Sequence, residues 1–154
     1  MSAVAILKLV ATLSSGFYFH GCLYMSVIEH PARKGLPITT FILQWRRSCH
    51  LAKMIFVPTE ILCLISTFWL YFMDPVEQAS LWLICPTCIV ATMTWSVTKI
   101  RPDVQRTTSD DVIQKNEPRW ITTTVDTVMQ RHNVRTAIGL VLHLTVLTLS
   151  FQGR

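Results

Sequence analysis

The chain has 154 residues, 51% of them hydrophobic and 15% charged, and 14 Lys and Arg against 9 Asp and Glu give a net charge of +5. Soluble domains carry roughly 25% charged residues, so this composition, with a mean hydropathy of +0.40, excludes an ordinary soluble domain. At about 20 residues per membrane crossing, four crossings and their connections use up the length. One all-α domain over residues 1–154 is predicted: an integral membrane four-helix bundle, with an amphipathic helix in the loop between spans three and four.

The apolar runs fall at roughly residues 3–28, 54–73, 79–98 and 134–151. No basic segment precedes the first run, which outlasts a signal peptide and shows no clear small-residue cleavage site, so it reads as a retained span. Arg33, Lys34, Arg46, Arg47 and Lys53 lie between spans one and two. Lys99, Arg101, Arg106, Lys115, Arg119, Arg131 and Arg135 lie between spans three and four, whereas the connection between spans two and three carries Asp74 and Glu77 and no basic residue. The positive-inside rule puts both basic connections in the cytosol or a mitochondrial matrix, with the termini on the opposite side. The expected location is the endoplasmic reticulum or mitochondrial inner membrane. Basic residues that hug membrane boundaries point to the lipid bilayer as a partner and away from nucleic acid.

In span one, Ser15, Gly16 and Gly21 allow close helix approach, and Lys8 is expected to snorkel to the near interface. His20 is too deep to do so. The span runs into YMSVIEHPAR, residues 24–33. Pro31 lacks an N–H and disfavours helical geometry before it, which predicts a helix end near His30. Glu29, His30 and Arg33 then gather at the helix mouth, an acid, an imidazole and a guanidinium that can bind a ligand, a metal or another helix. The next segment places Phe41, Ile42, Trp45 and Cys49 at helical spacing, predicting a surface-lying helix with Trp45 as an interfacial anchor.

Span two holds Pro58, which should bend it, and Glu60, a carboxylate inside an apolar run that needs a partner. His20, His30, His50 and the arginines of the basic side are the choices. Span three contains Cys85-Pro86-Thr87-Cys88, the spacing of a thiol–disulfide motif, and closes on Lys99-Ile100-Arg101-Pro102, a second proline stop. Cys22, Cys49 and Cys63 are scattered elsewhere, and free cysteine is common in apolar segments, so free thiols are expected. In the long connection Ser109 resembles an N-cap ahead of Asp110 and Asp111, and Asn116 with Pro118 marks a second helix start. Ile121, Val125, Val128 and Met129 recur at the spacing of an amphipathic helix leading into span four. His132 and Arg135 share one of its faces, and His143 lies within the span, where it could face His20.

The EHPAR corner after an apolar span, the later Gln44-Trp45 with its basic flank, Pro102 closing span three, and Trp120 through Arg131-His132-Asn133-Val134-Arg135-Thr136 occur in a recognisable order. Together they resemble the anthrone oxygenase-like family of small four-helix membrane proteins, from about Gly16 to Leu142. The residues matching its recurrent positions are Glu29, His30, Pro31, Arg33, Trp45, Pro102, Trp120, His132 and Arg135. The resemblance implies a four-helix bundle and, from the fungal members, insertion of oxygen into an aromatic polyketide anthrone to give an anthraquinone. Val104 stands where members often carry asparagine, and the stretch from Asp103 to Trp120 is longer than in compact members.

Three functional readings follow. In the first, Glu29, His30, Arg33, His132 and Arg135, with His50 or Glu60, bind or oxidise a flat hydrophobic aromatic substrate. Histidine then acts as base and arginine stabilises an enolate or phenolate. The same imidazoles and carboxylates are competent metal ligands. In the second, those residues form a packing network in a non-catalytic accessory subunit of a larger membrane complex, such as a mitochondrial inner-membrane assembly. In the third, Cys85 and Cys88 form the redox pair of a membrane thiol oxidoreductase.

Overall fold

A computed structural model describes residues 2–74 and 79–151, so Glu77 lies outside the described residues. Four helices are long and apolar enough to cross a membrane: span 1, Ala3–Arg33; span 2, Ile38–Met73; span 3, Ser80–Thr107; and span 4, Pro118–Phe151. No strand occurs among the described residues, and the architecture is an all-α membrane four-helix bundle. Span 1 packs against spans 2 and 4, and span 3 against the same two. Antiparallel neighbours follow from cross-links such as Thr12 to Ser150 and Lys8 to Asp74, each joining the start of one span to the end of another.

The prolines do not stop their helices. Span 1 continues through Pro31 to Arg33 and span 3 through Pro102 to Thr107. Each helix instead widens into a π turn just before the proline, at Met25–Glu29 and Ser96–Ile100. The His30 N–H reaches back to the Met25 carbonyl and the Arg101 N–H to the Ser96 carbonyl. A proline has no N–H for the carbonyl four residues earlier and its ring collides with that carbonyl. One wider turn relieves the collision and seats the proline in the first turn of the next α segment, where its missing donor costs nothing. Pro58 likewise lies inside an unbroken helix of 36 residues.

Two apolar cores stack along the bundle. Within the apolar runs, Ala11, Tyr18, Cys22, Phe56, Cys63, Leu70, Cys85, Ile89, Leu142 and Val146 form the first. Phe41, Ile42, Trp45, Ile100, Val112, Ile121, Val125, Val128 and Met129 form the second at the basic end. The expected surface-lying helix is therefore a continuous extension of span 2. Trp45 is not an interfacial anchor: it is 1% exposed and its Nε1 donates to Thr107 Oγ1 at 2.9 Å. The reason lies in the amphipathic stripe from Ile121 to Met129, which needs an apolar face opposite and finds it in Phe41, Ile42 and Trp45. That stripe is the first half of span 4, into which it runs without a break.

Ser109 does not cap the connecting helix. A single turn, Val112–Lys115, starts after Asp111, and Ser109 Oγ bonds the Arg106 carbonyl instead. Lys8 pairs with Asp74 at 2.9 Å, and the buried Trp82 donates Nε1 to the same carboxylate. This pair closes the bundle at the end opposite the basic residues.

Close approach of spans 1 and 2 depends on Gly21, because a Cβ there would sit 2.5 Å from Phe56 Cε1. Phe56 is buried in the first core, so its ring has to shift into the open space that it lines or the two helices have to part. Gly21→Ala is expected to destabilise the bundle by about 1–3 kcal/mol through overpacking, read as a lower midpoint of unfolding in detergent. An unchanged midpoint would show that Phe56 relocates freely.

Candidate functional site

Sequence reasoning gathers Glu29, His30, Arg33, His132 and Arg135 at one corner; the structure divides them between two clusters. The first lies where span 1 meets the extension of span 2. Arg33 is 1% exposed; its Nη2 donates to Glu29 at 2.8 Å and to Ser48 Oγ at 2.9 Å. Its guanidinium stacks over the Trp45 ring, 5.3 Å from the centroid. Ser48 in turn hydrogen-bonds Glu29. His30, also buried, contacts Asp126 of span 4 at 2.8 Å through Nε2, and Lys34 reaches the same carboxylate at 3.4 Å. This cluster clasps spans 1, 2 and 4 together. Arg33 Nε and Nη1 and His30 Nδ1 remain buried without a hydrogen-bond partner.

The second cluster lies deeper. Glu60, 5% exposed, has Arg135 of span 4 as its partner, with Nη2 at 3.4 Å from Oε1. Thr92 of span 3 donates to the same oxygen at 3.4 Å, and Tyr18 of span 1 accepts from Arg135 Nε at 3.2 Å. The guanidinium also sits over the Tyr18 and Phe56 rings, 5.5 and 5.7 Å from their centroids. All four spans therefore meet at one buried ion pair. His132 lies one turn before Arg135, is 4% exposed, and its Nε2 has no hydrogen-bond partner.

Beside this cluster is a cavity of about 490 Å³, in the range of small-molecule sites. Glu60, His132 and Arg135 line it together with an apolar wall that includes Trp45, Phe56, Val57 and Met129. Its rim carries Lys53, Arg101 and Gln105. Glu29, His30 and Arg33 are absent from its lining. Asp126, the partner of His30, lies six residues, or about 9 Å of helix, before His132 and is also absent from the lining. A second cavity, of about 550 Å³, opens between spans 1 and 2 and shares Met25, Ala52 and Phe56 with the first.

The remaining histidines lie elsewhere. His20 and His143 do face each other, ring centroids 5.7 Å apart. His20 Nδ1 bonds the Gly16 carbonyl and His143 Nδ1 contacts Ser15 Oγ, so both serve packing between spans 1 and 4. His50 is exposed. Cys85 and Cys88, like Cys22, Cys49 and Cys63, are free thiols. Among the described residues no three His, Cys, Asp or Glu side chains converge as a metal-binding group.

Sequence reasoning missed Tyr18, Ser48, Thr92 and Asp126. Asp126 had a signal, being an acid flanking the apolar stripe at Val125 and on the His30 side of the bundle; Tyr18 had none beyond its place in an apolar run. No family model matches the chain, and no curated protein or solved structure does so either.

Removing one member of a buried ion pair strands the other charge, at about 3–5 kcal/mol. Glu60→Leu and Arg135→Met singly should each lower stability in detergent by that order, whereas the double variant should recover most of it. Additive losses would show that the two residues are energetically independent.

Proposed function

We propose that this protein binds a flat hydrophobic aromatic molecule in the cavity beside the Glu60–Arg135 pair and oxidises it with dioxygen, as its resemblance to anthrone oxygenases implies. The observation that carries the reading is the cavity wall: it is mostly apolar and holds a few ionisable side chains, of which His132 has an uncommitted Nε2. In this reading His132 takes a proton from the acidic methylene of an anthrone-like substrate. Arg135, whose Nη1 makes no hydrogen bond in the cluster, stabilises the charge that develops on the ring carbonyl oxygen. Dioxygen then adds to the carbanion, and the proton held by His132 returns to give a hydroperoxide. Loss of water, which takes the second C–H and the outer oxygen, leaves the quinone carbonyl. One dioxygen is consumed and one water released.

Glu29, His30 and Arg33 are assigned a different role here, holding the corner that shapes the cavity rather than touching substrate. The orientation that accompanies this reading puts the basic end in the cytosol or matrix and the site near that face of an endoplasmic reticulum or mitochondrial inner membrane.

The test is oxygen uptake by the purified protein given an anthrone, alongside quenching of tryptophan fluorescence by the corresponding anthraquinone. His132→Gln should reduce turnover by about 10²- to 10⁴-fold, the usual contribution of a general base, while leaving quenching within a few-fold. An inert wild type that neither binds nor consumes oxygen, but co-purifies with a larger assembly, would replace this reading with that of an accessory subunit.

A further inference from the structure

The rim of the cavity carries cations that the fold leaves without a carboxylate. Among the described residues every acid but Glu117 is in an ion pair: Glu29, Glu60, Asp74, Asp103, Asp110, Asp111 and Asp126 with Arg33, Arg135, Lys8, Arg131, Arg46, Lys115 and Lys34 respectively. None of these pairs includes Lys53 or Arg101, although both residues line the cavity and are exposed. Their positions match. Lys53 immediately precedes the apolar run of span 2, and Arg101 lies just beyond that of span 3, so both stand where the bilayer core gives way to water. Between them the exposed Val57 and Val97, also lining residues, open the cavity sideways toward lipid.

From these observations we infer that the cavity selects an acidic aromatic amphiphile: a planar ring system whose carboxylate sits between Lys53 and Arg101 while its apolar body reaches inward to Glu60, His132 and Arg135. The inference rests on the reading of this cavity as the substrate site. Its dimensions are consistent. Lys53 and Glu60 are seven residues apart on one helix, about 10 Å, a distance that a fused tricyclic body with one substituent fills. The polarity agrees as well. Arg135 inside the cavity is already neutralised by Glu60, so the inner wall favours a neutral ring, and uncompensated positive charge is found only at the rim. Gln105, one turn beyond Arg101, adds an amide donor to the same rim.

The experiment compares two probes that differ by one charge, anthraquinone-2-carboxylate and its methyl ester, binding to the full protein in nanodiscs of zwitterionic phospholipid. The wild type is expected to bind the acid more tightly than the ester. Lys53→Gln and Arg101→Gln should each weaken the acid by about fivefold, the scale of one partly solvated ion pair, and leave the ester unchanged. The double variant should then no longer distinguish the two. Retained ester binding doubles as the check that each variant is folded. Equal binding of acid and ester by the wild type, or a preference that survives in the double variant, would overturn the carboxylate-binding rim while leaving the cavity reading standing. Binding of neither probe would remove both. If the preference disappears when anionic phospholipid is added to the nanodisc, the two cations belong to lipid headgroups and the inference is overturned.

Discussion

A guanidinium and a carboxylate in the middle of an apolar bundle set the terms for everything around them. The Arg135–Glu60 contact recruits Tyr18 from span 1 and Thr92 from span 3, so every span supplies one group to it. In hydrocarbon neither charge is tolerable alone, and a rotation of any helix that removed its contribution would leave a polar atom stranded. The pair therefore fixes the rotational setting of four helices, which apolar packing against lipid specifies poorly because lipid tails are as apolar as leucine. Buried ion pairs add little net stability over well-packed apolar residues. What this one supplies is registry.

The same logic repeats at both ends of the molecule in weaker form. Lys8, Asp74 and Trp82 close the acidic end, and Glu29, Arg33, Ser48 and Trp45 close the basic one. The basic-end cluster is built on a second apolar core, so the long polar connection is folded against the bundle instead of hanging from it. Arg131 ties that connection down, donating to the Lys99 carbonyl at 2.7 Å and to Asp103. Of the positive side chains at this end that are outside the ion pairs, Lys53 and Arg101 are the two that line the cavity beside Glu60.

Much of this was legible in the sequence. Run length gave the four spans, and a carboxylate in an apolar run demanded a partner that proved to be one of the arginines of the basic side. The i, i+3 spacing of His132 and Arg135 put both on the cavity side of span 4. What was not legible was which groups meet across helices, because that depends on rotation about each helix axis. Lys8 and Asp74 illustrate the gap: in an up-and-down bundle the start of span 1 must lie beside the end of span 2, so their pairing was available from topology but not from local sequence. Trp45 illustrates another. An indole at a membrane boundary ordinarily anchors there, and only the apolar stripe more than 70 positions later in the chain turns it inward.

The prolines are the most instructive case. Read locally, Pro31 and Pro102 end helices; in the fold each converts the preceding turn to a π turn and lets the helix proceed. A wider turn carries an extra residue, so every side chain beyond it is rotated relative to an uninterrupted α-helix. That rotation brings His30 and Arg33 onto a buried face of span 1. The two π turns also flank the same space: Met25 from the first and Ser96, Val97 and Ile100 from the second line the cavity beside Glu60 and His132. Close-packed helices leave few voids larger than water, and a cavity in a bundle this small requires some departure from regular packing. The π turns before Pro31 in span 1 and Pro102 in span 3 provide it, and both lie at the basic end, where the cavity opens.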